Sequence, residues 1–142
     1  MSLFRGEVVS PQNPASIITD KRFTITHTLA GAAPATAGNY GSMFTAPAPC
    51  RVIQVTEIHE TASSSGTLDI TKDVTTGAPA SGGSIFASGT FNLAATANTL
   101  QTKVNVDGVD SVLAAGNRLG LKDAGTLTSG AGVQVTAVLE WL

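Results

Sequence analysis

The chain has 142 residues, 42% of them apolar and only 13% charged, with a formal net charge of −2. That length suits one domain with a core that needs neither disulfides nor metal, and the composition excludes a disordered or membrane-like chain. The eight Lys and Arg residues are dispersed, so the basic face that neutralises phosphates is lacking and no nucleic acid is expected as partner.

No apolar run approaches the roughly 20 residues that span a bilayer, so no membrane partner is expected. Met1–Glu7 does not read as a signal peptide. Cys50 is the single cysteine. It has no intrachain disulfide partner and is expected to be a buried, inert thiol.

In chain order, residues 1–20 come first. Ser10-Pro11-Gln12-Asn13-Pro14 cannot be helical. The segment reads as an extended N-terminal arm that lies along the domain or reaches a neighbour, with a frayed terminus as the plain alternative. Its apolar residues Phe4, Val8, Val9, Ile17 and Ile18 are candidate contacts to a partner. Residues 21–142 form the domain. The first strand is Phe23–Leu29: Phe23, Ile25, His27 and Leu29 share one face, and Thr24, Thr26 and Thr28 the other. Residues 30–39, with Pro34, are a small-residue loop and a further candidate contact. A short strand is predicted at 40–45.

Cys50–Thr61 is a long strand whose alternation fails between Val55 and Ile58, which predicts a bulge or burial on both faces. Leu68–Thr71 follows a Ser/Gly turn, and 74–83 is an exposed loop. Ser84–Leu93 is predicted as one strand that bulges or bends at Gly89. Leu100–Val106 alternates, Asp107-Gly108 is a turn, and Val109–Leu113 is a short return strand. Leu119 and Leu121 share a face. Val133, Val135, Ala137, Leu139 and Trp141 give the cleanest alternation, and Trp141 is expected at a core or subunit interface. No long helix is predicted. About eight strands at this spacing predict an all-β, single-domain antiparallel β-sandwich or jelly roll.

Candidate chemistry is sparse. Glu57 and His59 share a strand face, with Glu60 opposite and His27 as a conceivable third ligand. Nothing in the spacing shows the convergence a metal site needs, so a solvated strand face is expected and no metal. Asp69 with Asp73, and Asp107 with Asp110, read as solvated turn positions rather than acid–base pairs. Nucleophile elbow, phosphate loop and Cys-x-x-Cys are all absent. The expectation is a protein without catalysis and without cofactor.

Several short motifs recur as a pattern: Phe44-Thr45-Ala46-Pro47, the strand Val52–His59, Leu68–Asp73 with its Lys-Asp end, Ala97–Thr102, and Leu-Ala-Ala-Gly-Asn-Arg-Leu-Gly-Leu at 113–121 before a terminal apolar strand. Over about residues 40–142 the chain resembles tailed-phage capsid decoration, or cement, proteins. The resemblance implies a β-sandwich or jelly-roll virion protein on the outer surface of the head. It would be a homotrimer that bridges neighbouring subunits of the major capsid protein lattice. The alternative is a trimeric jelly-roll head of a phage fibre or spike that binds a receptor or glycan.

Overall fold

The computed structural model describes residues 21–29, 41–74, 76–104 and 111–142. The expected arm with Phe4, Val8, Val9, Ile17 and Ile18, the loop with Pro34, and the Asp107-Gly108 turn with Asp110 lie outside the described residues.

Among the described residues, ten strands form two antiparallel sheets: β1 (Arg22–Leu29), β2 (Gly41–Thr45), β3 (Cys50–Ile58), β4 (Thr67–Asp73), β5 (Gly83–Ser84), β6 (Phe91–Asn92), β7 (Gln101–Lys103), β8 (Val112–Leu113), β9 (Arg118–Ala124) and β10 (Val133–Trp141). The first sheet runs β1-β10-β3-β7, with β8 also on β3. The second runs β2-β9-β4-β5, with β6 also on β4. The chain passes repeatedly between the sheets, as a jelly roll does. The all-β sandwich expected from the alternation is therefore what the chain forms.

The difference from about eight strands has a simple cause. β5 and β6 pair with opposite ends of β4, and β7 and β8 pair with opposite ends of β3. The predicted continuous strand Ser84–Leu93 is thus two short pairings. Between them the chain leaves the ladder, and Gly89 takes φ 66°, a left-handed conformation that glycine adopts without a Cβ clash.

The alternating residues meet between the sheets. Leu68, Ile70, Phe91, Leu119 and Leu121 come from the second sheet, and Val55, Leu113, Val135 and Leu139 from the first; all are fully buried. Each large apolar side chain moved out of water contributes about 1.5–3 kcal/mol. Phe86 and Phe91 meet edge to face at 5.2 Å. Cys50 is buried in this core, and burial pushes its thiol pKa up. That is the inert thiol the sequence predicts.

Two bulges set the side-chain frame. In β3, Val138 pairs with Gln54 and Leu139 with Val52, which leaves Ile53 as the extra residue. In β2, Ser42 pairs with Gly120 and Phe44 with Leu119, which leaves Met43 extra. The shift at Ile53 decides the rest of β3: Val55, Glu57 and His59 point into the sandwich, and Gln54, Thr56 and Ile58 point outward.

Candidate functional site

Glu57 and His59 are the main correction to the sequence reading. They do not form a solvated strand face: they are 0% and 1% exposed. His59 Nε2 donates to Ala95 O at 3.0 Å, and its Nδ1 lies 2.9 Å from Glu57 Oε1. Gln101 Nε2 donates to Glu57 Oε2 at 2.6 Å and to Asn92 O at 2.9 Å, while Gln101 Oε1 accepts from Asn92 N at 3.0 Å. Asn98 N donates to His59 O at 2.7 Å. The network therefore ties the loop after β6 to β3 and β7.

The proton count follows from the acceptors. The Ala95 carbonyl only accepts, so His59 Nε2 carries a proton. A second proton must lie between Nδ1 and Oε1, on the ring or on the carboxyl. Burial, opposed by the His59 and Gln101 contacts, raises the Glu57 pKa.

Asp73 is the second correction, because it is 0% exposed rather than a solvated turn residue. Its carboxylate accepts from Ala80 N at 2.9 Å, Gly82 N at 2.8 Å and Thr71 Oγ1 at 3.3 Å. Opposite it in the ladder, Arg118 donates through Nη2 to Val74 O at 2.7 Å and to Gly77 O. These bonds fold the 74–83 segment over the outer side of β4 and β9. A Cβ at Gly120 would lie 2.2 Å from Asp73 Oδ2 and 2.9 Å from Ala80 N, so only glycine fits beneath this cover. Asp69 is engaged too, accepting from Ser84 Oγ at 2.6 Å. The two aspartates do not converge on a cavity.

His27 does not join Glu57 and His59. It pairs with Val135, and Val135 with Glu57, which sets it two strands away, about 10 Å. No group of three or more metal-ligand side chains occurs among the described residues. Trp141 is half-buried against the core, stacked on Phe23 at 4.2 Å, and Phe44 lies 5.8 Å from Phe23. One face of the indole is thus occupied inside the chain. A groove of about 510 Å³ is lined by Pro49, Lys72, Val112, Leu113, Ala114 and Asn117. Asn117 Oδ1 accepts from Ala114 N at 3.0 Å, so its polar atom serves the turn.

A further surface is the outer face of the first sheet. Register places Thr26, Thr136, Thr56 and Thr102 in one row across four strands. Thr26 and Thr136 hydroxyls are 3.1 Å apart, and Thr56 Oγ1 donates to Thr136 O at 3.4 Å. The row on one side is Thr24, Val138 and Gln54. The row on the other begins Thr28, Gln134 and Ile58. Leu100 and Val104 flank Thr102 and are 61% and 60% exposed. Charge lies at the ends: at one, Arg51 Nη2 donates to Glu140 Oε1 at 2.8 Å and Arg22 lies 3.8 Å from Glu140, and at the other, beyond Ile58, exposed Glu60 lies against Gly132. The alternating threonines of β1 are visible in the sequence. Their alignment with Thr136, Thr56 and Thr102 requires the register.

No family model and no curated protein matches this sequence. A chain in a solved structure titled "Cyanophage Pam1 capsid asymmetric unit" aligns over 86% of this chain and 84% of its own, with a TM-score of 0.47 and 11% identity. A likeness at that level assigns neither a family nor residue roles.

Proposed function

We propose that this chain is a structural virion protein without catalysis, which decorates and stabilises the outer surface of a phage head as a homotrimer bridging major capsid subunits. The observation that carries the reading is the use of the buried ionisable groups. Glu57 ties β3 to β7 through Gln101, and His59 and Asp73 each fix a loop to a strand, so they serve rigidity.

The motif pattern that resembles capsid decoration proteins supports the same reading. Two of its motifs meet in space: Ala46 N donates to Asn117 O at 2.8 Å, and Gly116 N to Ala46 O at 2.7 Å. A protein that binds only the assembled lattice stabilises that lattice by mass action. Many copies of a modest interface then act together.

Heat release of packaged DNA tests the proposal. Undecorated, filled heads incubated with the protein are expected to hold their DNA to a higher temperature than heads alone, read by a DNA-binding dye. The same release temperature with and without saturating protein would overturn it.

A further inference from the structure

We propose that the outer face of the β1-β10-β3-β7 sheet is the contact surface between copies of this chain. A face that meets its own like closes as a two-fold pair, so this contact goes beyond the homotrimer of the proposed function, and the argument for it is separate from capsid binding.

The two sheets treat their outer faces differently. The β4 and β9 side is covered by the chain's own 74–83 segment, anchored by Asp73 and Arg118 over Gly120. The β1-β10-β3-β7 side has no such cover among the described residues. It leaves Leu100 and Val104 more than half exposed beside a threonine row. Exposed apolar residues gathered on one flat face mark a contact surface more than single scattered ones do.

Charge selects the occupant. The three rows centred on Thr136 carry no Asp, Glu, Lys or Arg. A charged partner surface pressed here would lose water and gain no counter-charge. A second copy brings the same neutral, β-branched rows, and at one charged end Arg22 and Arg51 already share the Glu140 carboxylate within the chain.

Size sets the strength. Three strands of eight or nine residues, spaced about 4.8 Å apart with about 3.4 Å per residue, and the short β7 beside them make a face of roughly 450–500 Å². A standard interface buries about 800 Å² per partner. The face therefore supports reversible self-association, completed by residues at its rim.

Sedimentation velocity from about 1 to about 200 µM tests this, a range that brackets micromolar affinity. The wild-type mass is expected to rise from monomer towards oligomer. Thr136→Lys, at the centre of the row, and Thr102→Lys, on the exposed edge strand, are each expected to weaken association at least tenfold with the circular dichroism spectrum unchanged. Thr128→Lys, in an exposed loop away from the face, is expected to associate like wild type. A wild-type chain that stays monomeric throughout, or a folded Thr102→Lys chain that associates like wild type, would overturn the inference. Head pelleting reads the other question: a chain that pellets with heads yet stays monomeric overturns this inference and leaves capsid decoration standing.

Discussion

At the scale of single residues, the Glu57–His59 pair is the most chemically loaded feature of the fold. A carboxyl and an imidazole buried together are tolerated because Gln101, Ala95 and each other satisfy their polar atoms. Removing one partner from such a network leaves a buried group unsatisfied, which costs about 1–3 kcal/mol. Glu57→Leu removes the acceptor of the Gln101 NH₂ and the partner of His59 Nδ1 together, so a loss of that size is expected in urea melts, whereas the Glu57→Gln amide keeps both bonds by accepting from Gln101 and donating to a neutral His59 Nδ1. The pH dependence has a fixed sign. The folded Glu57 pKa is raised above its unfolded value, which is about 4.3. Its contribution is complete below that unfolded value and declines as pH rises through the folded one. Wild-type stability is therefore expected to fall on going from acid towards alkaline pH by more than that of Glu57→Gln. Parallel pH profiles for the two proteins would contradict this account.

The inward direction of Glu57 and His59 shows where the sequence stopped being legible. Alternation alone makes Ile58 a core candidate and leaves its neighbours outside. The extra residue Ile53 shifts the frame by one, so Ile58 turns outward. The failed alternation between Val55 and Ile58 was the visible trace of that shift. The groups that make the buried pair tolerable, Gln101 and Ala95, lie 44 and 36 residues further along the chain, and spacing within β3 carries no sign of them.

At the scale of elements, β1 and β10 were legible because they are long, half-buried and cleanly alternating, and their register runs without a shift from Arg22–Glu140 to Leu29–Val133. β5 and β6 were not. An apolar stretch with one glycine reads as a bent strand, yet Ile85 and Phe86 are buried by a loop between two short pairings. The 74–83 segment also reads as a plain exposed loop, although Asp73 and Arg118 give it a fixed place on the sheet. That anchor yields a prediction. Asp73→Ala strands the amides of Ala80 and Gly82 and removes a buried hydrogen-bonded carboxylate, a loss of about 2–4 kcal/mol when two such bonds go together. Limited proteolysis is expected to nick the variant within 74–83 well before the wild type. Equal nicking rates would show that the carboxylate does not hold the segment.

At the scale of the whole molecule, the fold combines a stiff sandwich with two unlike outer faces. One is closed by the chain's own loop, and the other is lined with threonine and carries charge only at its ends. Strand alternation carried the fold class, because a period of two with turn residues between runs leaves few other architectures. It did not carry the contrast between the faces, which depends on register and on where the 74–83 segment lies. A rigid, weakly charged module suits the part repeated many times on a lattice that the proposed function describes. In that proposal each copy adds a modest contact and the sum resists outward pressure.

Co-sedimentation of the purified protein with expanded, undecorated heads tests this reading most directly. The account predicts saturable pelleting at a fixed ratio to the major capsid subunit, with excess protein left in the supernatant. Protein that stays in the supernatant at every concentration, while remaining folded, would contradict it.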